Sequence, residues 1–365
     1  MEVVNWRIVE QMCRHFEVCC VVPRGSIVGV PGSVRVLKVP LSPLARFLAD
    51  GFVKTARVAA DWKPHIVVAG SALTAPHALV GATLSGGAAI AYVHGLDVAA
   101  PNLLYKTLWI PVLRRLDRVI ANSNSTAELV RETGVASERI AVVHPGVDVP
   151  RRIGTSRARA KALLGINDRP SIISVGRLTR RKGLLEFIRK AMPAVLERIP
   201  DAILLVVGES PDQALFPQAV TKKELRTASE EAGVADSVML LGAPTNKELA
   251  TAYLASDVYV FPVRDIPGNP EGFGIVALEA AAFGVPTVAF SVGGVKEAVG
   301  DGMSGKLVTA GDYAGFSDAV VWFLERKEDP TLRRSCRRFA RNFTWDKFGE
   351  GLKSVFDSCL SDGKA

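Results

Sequence analysis

Two carboxylates bracket the predicted start of a helix within residues 257–297, DVYVFPVRDIPGNPEGFGIVALEAAAFGVPTVAFSVGGVKE. Glu271 comes just before the first turn. Glu279 lies one turn past Ile275, so Glu279 and Ile275 share one face of the helix. The backbone N–H groups of residues 272–275 point out of the helix start and favour an anionic or hydroxyl-rich ligand. A carboxylate beside them is stabilised by accepting hydrogen bonds, for example from sugar hydroxyls. The alternative is an acidic turn that only complements the helix dipole.

A basic turn, GRLTRRKG, begins at Gly176 after an apolar strand and leads into a helix. Ligands of open α/β sheets bind at the carboxyl ends of the strands, where this turn lies. Arg177 and Lys182 can neutralise a diphosphate there. The turn is not a P-loop, because the G-x-x-x-x-G-K-[ST] spacing is absent. A solvated basic turn without a ligand is the alternative.

His94 ends a strand of the amino-terminal half and precedes Gly95, so it is a candidate site residue or a structural histidine. The chain has no D-x-D pair to hold a metal ion on a diphosphate. We therefore expect a metal-independent site in which Arg177, Lys182 and helix dipoles neutralise the phosphates. The G-x-S-x-G and H-E-x-x-H motifs of common hydrolases are also absent.

Strands and helices alternate along the chain, which predicts an α/β protein with two Rossmann-like, doubly wound parallel sheets. We assign residues 1–150 to an amino-terminal domain and 171–344 to a carboxyl-terminal domain. Residues 151–170 are basic and are interpreted as the linker. A last helix, 345–360, is expected to pack back on the amino-terminal domain. Within that domain we predict a buried strand in EVCCVVP and an apolar helix over 102–116, interrupted at Pro111.

Composition and charge favour a cytoplasmic protein of 365 residues with a net charge of +8. The five cysteines form no C-x-x-C pair, so we expect reduced thiols. We expect no signal peptide, and the uncharged run 64–96 is interpreted as a buried strand–helix–strand unit rather than a membrane span. The positive amino-terminal half and tail favour peripheral contact with anionic membrane over nucleic acid, because no nucleic-acid motif is present. A solvated surface is the alternative.

Together these motifs resemble glycosyltransferase family four, whose members are retaining enzymes with the two-domain GT-B fold. GRLTRRKG resembles the donor-diphosphate motif, and PEGFGIVALEA resembles the E-x7-E motif. FSVGGVKEAVGDGMSG is similar to the segment that follows it, and ANSNSTAELV with HPGVDV resembles the end of the first domain. The loop FPVRDIPGNPEGFGI and the HG-x-D turn resemble the branch that contains bacterial phosphatidylinositol and exopolysaccharide mannosyltransferases.

The resemblance implies two Rossmann-like domains facing across a cleft, with a role for each candidate residue. Arg177 and Lys182 would hold the donor diphosphate, Glu271 the donor sugar, and His94 would lie beside that sugar. Glu279 would bind the ribose hydroxyls. The donor-binding residues implied are Gly176, Gly272, Phe273, Gly274, Ile275 and Glu279, with the backbone amides of 273–275 contacting sugar and phosphate.

The implied reaction transfers a hexose, with mannose favoured, from a GDP- or UDP-sugar with retention and without a cofactor. The acceptor would be a lipid-linked or polysaccharide precursor at the cytoplasmic membrane face. Two alternatives stay open. One is a nucleotide-sugar-binding protein without transferase activity, and the other is a GT-B phosphorylase or epimerase.

The sequence departs from the family pattern in its first residues. Family members begin with a strand and a glycine-rich loop, whereas Met1 here matches the start of the helix that follows them. The loop from Gly25 to Gly32 comes too late to replace them. We therefore expect an amino-terminal domain without its first strand, and an apolar slot or direct pairing between the strands that begin near Glu17 and His65. We also hypothesise that the reading frame upstream of Met1 encodes an apolar strand and a glycine turn.

Overall fold

The computed structural model describes residues 2–26, 34–100, 102–151, 154–210 and 219–361. Most of the loop from Gly25 to Gly32 therefore lies outside the described residues. The chain divides into two compact units, which are described separately. The first comprises Met1–Gly146 with Trp345–Ala365, and the second comprises Val147–Thr344.

The first unit is an α/β unit in which every described strand pair is parallel. Its strands are β1 (Cys19–Pro23), β2 (Arg35–Val39), β3 (Ile66–Ala69), β4 (Ala88–Val93), β5 (Arg118–Ala121) and β6 (Ile140–Val142). Its helices are α1 (Glu2–Met12), α2 (Leu44–Trp62), α3 (Ala75–Ser85), α4 (Leu96–Ala99), α5 (Asn124–Glu132) and α15 (Trp345–Ser361). β3, β4, β5 and β6 form one sheet in that order.

The uncharged run 64–96 folds into β3, α3 and β4, as predicted. All six residues of β4 are buried, and the α3 alanines pack closely on the sheet. This packing explains why the run carries no charge, since strands covered on both faces are apolar throughout. No helix in the described part of the chain is long and apolar enough to span a membrane.

The strand in EVCCVVP forms, but the prediction that it is buried is wrong. Only Cys20 of β1 is buried, and β1 pairs with β2 in a separate two-stranded sheet. As expected, a largely apolar cavity of about 930 Å³ is lined by both β1 and β3. The side chains of β1 stay half-buried because its second edge meets this cavity and not another described strand.

The apolar helix predicted over 102–116, with an interruption at Pro111, does not form as a regular α-helix. The segment forms a π-helical turn over Tyr105–Trp109 and a 3₁₀ stretch over Ile110–Arg115. Pro111 lacks the N–H that a regular α-helix would need at that point, which favours tighter or wider turns.

The second unit contains one six-stranded parallel sheet with the order β12-β11-β10-β7-β8-β9. These strands are β7 (Ser171–Val175), β8 (Ile203–Val207), β9 (Val238–Gly242), β10 (Val258–Phe261), β11 (Thr287–Phe290) and β12 (Gly305–Val308). The helices are α6 (Arg157–Leu163), α7 (Leu184–Lys190), α8 (Met192–Arg198), α9 (Lys222–Glu231), α10 (Asn246–Ala255), α11 (Ile275–Ala282), α12 (Val295–Ala298), α13 (Tyr313–Glu325) and α14 (Pro330–Ala340). β7 and β10 are central neighbours, so the loops that follow them leave the same edge of the sheet.

The segment 151–170, interpreted as the linker, contributes α6 to the second unit. Lys161 of α6 places its Nζ 3.0 Å from Oδ2 of the buried Asp257, and Arg157 forms an ion pair with the same carboxylate. Asp257 also accepts a hydrogen bond from the backbone N–H of Ser171 at 2.8 Å. These contacts fix α6 to the amino-terminal ends of β7 and β10, so its basic residues neutralise a buried aspartate.

Candidate functional site

Glu271 lies in the loop between β10 and α11, and a neighbouring glycine turn holds its backbone. The N–H of Gly294 donates to the carbonyl oxygen of Glu271 at 3.0 Å. A Cβ atom on Gly294 would lie 2.0 Å from the carbonyl oxygen of Gly272, so only glycine permits this approach. The SVGG turn that follows β11 therefore fixes the backbone position of Glu271.

The basic turn after β7 packs against the loop between β10 and α11. Gly183 has a φ of 71°, and a Cβ atom there would lie 1.8 Å from the carbonyl oxygen of Pro262. The N–H of Arg264 donates to the carbonyl oxygen of Arg181 at 2.8 Å. These backbone contacts bring the turn 180–182 alongside the residues that follow β10.

The two loops meet in a buried ion cluster. Nζ of Lys182 lies 2.8 Å from Oε2 of Glu271, and Arg181 forms an ion pair with the same oxygen. The exposed fractions of these side chains are 17% for Lys182, 10% for Arg181 and 11% for Glu271. The ammonium group of Lys182 also lies 4.7 Å from the ring centre of Phe261. Two cations thus share one carboxylate in a largely water-excluded place.

The cluster fixes the protonation state of Glu271. Burial alone would raise the pKa of Glu271, but Lys182 and Arg181 outweigh burial and hold that pKa at about 2, below the ordinary 4.5. Burial lowers the pKa of Lys182, and Glu271 opposes this change. Glu271 is therefore an anion at neutral pH, with Oε1 left to accept a hydrogen bond from a hydroxyl group.

Glu279 lies on α11, one turn past Ile275 as predicted, and is held by a buried tyrosine. The hydroxyl of Tyr253 on α10 donates to Oε2 of Glu279 at 2.9 Å. Burial raises the pKa of Glu279, whereas the Tyr253 hydrogen bond lowers it. Burial also raises the pKa of Tyr253 well above 10, so Tyr253 remains a donor. The hydrogen bond from Tyr253 thus orients the Glu279 carboxylate.

The start of α11 contains the predicted backbone donors. Gly274 precedes the helix with a φ of 100°, and Ile275 is the first helical residue. The side chain of Phe273 is buried, with 2% exposed, so only its backbone is positioned to contact a ligand. The N–H groups of the first helical turn have no carbonyl partner within the helix.

Arg177 differs from the two cations of the cluster. It follows Gly176 directly after β7, and its side chain is exposed. No hydrogen bond or ion pair of its guanidinium is found within the described ranges. Its charge nevertheless reaches Lys182, whose pKa it lowers. Arg177 is thus an exposed cation at the rim of the site, and its guanidinium is available to an anionic ligand.

His94 belongs to the first unit and is held in a polar turn after β4. Nε2 lies 3.0 Å from the carbonyl oxygen of Gly70, so Nε2 carries the proton that it donates. The Oδ1 of the buried Asp97 accepts the His94 backbone N–H at 2.8 Å, and Oδ2 accepts that of Ala72 at 2.8 Å. Burial lowers the pKa of His94, which favours the neutral imidazole.

The structure thus brings Glu271 and Lys182 together and places Glu279, Arg177 and Gly176 around the same sheet edge. Two residues of these sites were missed from the sequence, Arg181 and Tyr253. Asp97 was noted only as part of the HG-x-D turn, without a role. Arg181 was visible only as one member of a basic run, and Tyr253 is far from Glu279 in the chain. Within the part of the chain that the structure describes, no group of three or more His, Cys, Asp or Glu side chains could hold a metal ion.

Family models match both units. The model described as Glycosyl transferases group 1 matches residues 156–343, which contain the Glu271 cluster. The model described as Glycosyltransferase Family 4 matches residues 1–151, which contain His94.

Similar proteins include D-inositol 3-phosphate glycosyltransferases. The protein of Mycolicibacterium smegmatis is 32% identical over 256 residues, which is 70% of this chain and 56% of that protein. The protein of Geodermatophilus obscurus is 33% identical over 259 residues, covering 69% of this chain and 54% of that protein. The chain therefore spans about half the length of the curated relatives it matches.

Solved structures with the same fold cover nearly the whole chain. Sucrose-phosphate synthase from Thermosynechococcus elongatus superposes with a TM-score of 0.78 and 20% identity, covering 99% of this chain and 94% of that one. Anabaena HepE, solved in complex with UDP and glucose, superposes with a TM-score of 0.75 and 18% identity, covering 98% and 95%. Fold, ordered motifs and family models agree, and the chain belongs to glycosyltransferase family 4 and has the GT-B fold.

Proposed function

We propose that this protein is a retaining, metal-independent glycosyltransferase that moves a hexose from a nucleoside-diphosphate sugar to a lipid-linked or polysaccharide-precursor acceptor. The observation that carries the proposal is the ionised Glu271, held by Lys182 and Arg181 at the start of α11. An anion fixed beside helix N–H groups and an exposed arginine suits a ligand that is both hydroxylated and phosphorylated.

We assign a role to each candidate residue from the burial of its side chain and from its ion-pair or hydrogen-bond partners. The exposed Arg177 and the remaining N–H groups of Lys182 bind the diphosphate. Oε1 of Glu271 accepts hydrogen bonds from the donor sugar, while Arg181 acts as a positioning residue that keeps the carboxylate charged. Glu279, oriented by Tyr253, accepts the ribose hydroxyls. In the first unit, the neutral His94 lies beside the sugar, as the family resemblance implies.

The proposed reaction breaks the bond between C1 of the sugar and the diphosphate oxygen. The acceptor hydroxyl forms a new C1–O bond on the same face, and its proton passes to the departing phosphate oxygen. Charge that develops on this phosphate is stabilised by Arg177, Lys182 and the α11 amides. No protein nucleophile is required.

The donor and acceptor are proposed from the relatives. The structural neighbour solved with UDP and glucose supports a UDP-sugar. The resemblance to the mannosyltransferase branch of the family supports GDP-mannose as the second donor. The sequence relatives named D-inositol 3-phosphate glycosyltransferases add a phosphorylated polyol to the candidate acceptors. A nucleotide-sugar-binding protein without transfer is the second function, because β1 and β3 leave a cavity in the first unit.

We further propose that the first unit contacts anionic membrane through a leucine patch, defined as Leu103, Leu104 and Leu108. These side chains are 75%, 65% and 59% exposed. The opposite side of the segment is fixed, since Trp109 Nε1 donates to the carbonyl oxygen of Leu73 at 2.8 Å. Nearby exposed cations, Lys106, Arg114 and Arg115, complement anionic headgroups.

The first prediction concerns donor binding without metal. In a thermal-shift series with UDP-glucose, GDP-mannose and ADP-glucose, one donor at a hundred times its Kd should stabilise the protein by roughly 2.7 kcal/mol. The thermal shift should persist in the presence of EDTA. The release of nucleoside diphosphate, measured with D-inositol 3-phosphate or water as acceptor, should persist as well. Arg177→Ala should weaken donor binding about tenfold to hundredfold and leave the unliganded Tm unchanged, because the side chain is exposed and without a described partner.

The matched control is Arg180→Ala, in the same turn, whose guanidinium pairs with Glu224 at the surface at 2.8 Å. It should bind the donor normally. Equal loss in both variants, or loss of release with EDTA and rescue by Mg²⁺, would contradict the proposal. A donor shift without any release would identify the binding protein.

The second prediction separates the two glutamates in nucleoside-diphosphate release. Glu279→Gln should mainly raise KM for the donor, by about tenfold, because ribose contacts are equal in ground and transition states. Glu271→Gln should mainly lower kcat, by roughly 10²–10³-fold, because charge develops beside that carboxylate. It should also lower Tm, since Lys182 and Arg181 lose their anion.

Glu231→Gln is the matched control, because Glu231 forms a surface pair with Arg189 at 2.9 Å. Its two constants should stay within about twofold of those of the unaltered protein. Indistinguishable kinetic changes in the Glu271 and Glu279 variants would show that their roles are assigned wrongly.

The third prediction concerns the leucine patch. In flotation with vesicles containing phosphatidylglycerol, replacing Leu103, Leu104 and Leu108 together by serine should reduce bound protein at least about tenfold. Serine at Leu84, Leu163 and Met303, which are similarly exposed, should have no such effect. Salt should weaken binding of the unaltered protein. If both triple variants float equally well, the patch does not contact the membrane.

A further inference from the structure

The polar groups of His94 are held by residues from three other segments of the first unit. Nε2 donates to the carbonyl oxygen of Gly70 at 3.0 Å, and the backbone N–H donates to Oδ1 of Asp97 at 2.8 Å. The backbone carbonyl oxygen accepts from Nδ2 of Asn122 at 3.4 Å. The ring also packs edge-on against Tyr92, with the ring centres 5.2 Å apart. No hydrogen bond of Nδ1 is found among the described residues, so its lone pair is left for a ligand.

We propose that Asp97 and Asn122 are positioning residues for His94, which they hold with Nδ1 as a hydrogen-bond acceptor for a hydroxyl group of the donor sugar. The identity of this ligand rests on the proposed function. The positioning itself follows from contacts within the first unit, so the two can be tested separately.

The carboxylate of Asp97 joins the loop after β3 to the turn after β4. Oδ1 accepts the N–H of His94, and Oδ2 accepts the N–H of Ala72 at 2.8 Å. Gly70, whose carbonyl oxygen accepts the Nε2 proton, is two residues before Ala72. The backbone of Asp97 is fixed in turn, because its carbonyl oxygen accepts the hydroxyl of Tyr105 at 2.8 Å. Asp97 therefore sets the separation across which the imidazole makes its hydrogen bond.

Asn122 holds the carbonyl side of His94 from the end of β5. The N–H of Asn122 donates to the carbonyl oxygen of Val93 at 3.3 Å, and Nδ2 donates to the next carbonyl oxygen, that of His94. A carbonyl oxygen can only accept, so this contact assigns Nδ2 and leaves Oδ1 on the other side. Oδ1 is buried and has no partner within the described part of the chain. An unpaired buried acceptor destabilises a fold, so a purely structural role does not explain this asparagine.

The protonation state of His94 agrees with this arrangement. Burial lowers the pKa of His94, and the charge of Asp97 opposes this change. A neutral imidazole that donates from Nε2 carries its lone pair on Nδ1. A sugar hydroxyl is a donor of matching chemistry for that lone pair.

The first test observes the ring directly and needs no activity. In protein labelled with ¹⁵N-histidine, His94→Gln identifies the His94 signals, and the unaltered protein should show a proton on Nε2 and none on Nδ1 at neutral pH. Asp97→Asn sets an N–H group against a backbone N–H, whichever way its amide is turned. It should lower the ratio of the Nε2–H to the Nδ1–H tautomer about threefold to tenfold, because the contact with Gly70 is weakened.

The matched control is Asp117→Asn, at the amino-terminal end of the same sheet. Oδ2 of Asp117 accepts the N–H of Ala89 at 2.9 Å, so this variant also loses a backbone contact to a carboxylate. It should lower Tm as Asp97→Asn does and leave the tautomer ratio of His94 unchanged. A tautomer ratio in Asp97→Asn equal to that of the unaltered protein would overturn the proposal.

The second test adds the ligand. Saturating UDP-glucose or GDP-mannose, whichever of the two binds, should move the Nδ1 signal of His94 and leave its Nε2 signal in place. A bound donor that leaves the Nδ1 signal unmoved would overturn the assignment of Nδ1 as the acceptor atom.

The third test is a double-mutant cycle in nucleoside-diphosphate release. Asp97→Asn should lower kcat at least about tenfold, and Asn122→Ala about threefold to tenfold, since its contact is longer. In a His94→Gln background each substitution should change kcat less than about twofold, because the residue through which it acts is gone. Asp117→Asn should keep kcat in both backgrounds.

The outcomes separate this proposal from the proposed function. Equal losses of kcat with and without His94 would show that Asp97 and Asn122 act on the fold alone, which overturns the positioning role. Absence of release with every donor would contradict the proposed function, and the tautomer ratio would then decide the positioning role by itself.

Discussion

The carboxylate of Glu271 between Lys182 and Arg181 is the interaction on which the donor-side site depends. It joins the loop after β7 to the loop after β10, two central neighbours of the second sheet. Removing one partner of a buried ion pair leaves an uncompensated charge and costs about 3–5 kcal/mol. The glycines at 183 and 294 allow the backbones to approach closely enough for these three side chains to meet.

A second buried carboxylate paired with cations lies at the amino-terminal ends of β7 and β10 in the same sheet. Asp257 is neutralised by Lys161 and Arg157 of α6, so the basic segment before β7 becomes part of the second unit. The Asp257 carboxylate is fully buried, and its ion pairs hold α6 on the sheet. The Glu271 cluster lies beside helix amides and the exposed Arg177, which makes it suitable for a ligand. The neighbouring helix amides and the exposed Arg177 distinguish the Glu271 cluster from the Asp257 cluster.

Much of the fold was predictable because strand and helix periodicity is local. The motifs also identified Glu271, Glu279 and Lys182 individually, since each follows a strand or begins a helix. Their pairing was not predictable, because Lys182 and Glu271 meet only through the strand order of the sheet. Arg181 was hidden within a basic run, and the apparent linker gave no sign of the buried Asp257. The helix expected over 102–116, with an interruption at Pro111, forms a π-helical turn and a 3₁₀ stretch instead. β1 is only half-buried because one edge lies on a cavity.

The central claim is that Glu271 is held as an anion by its two cationic neighbours. Because its folded-state pKa of about 2 lies below the ordinary 4.5, this stabilisation is complete above pH 4.5 and is lost as the pH falls towards 2. The direct measurement is the ¹³C shift of the Glu271 carboxylate between pH 7 and pH 3.5. We predict no titration in the unaltered protein, and a midpoint within this range in Lys182→Met. A midpoint within this range in the unaltered protein would contradict the account.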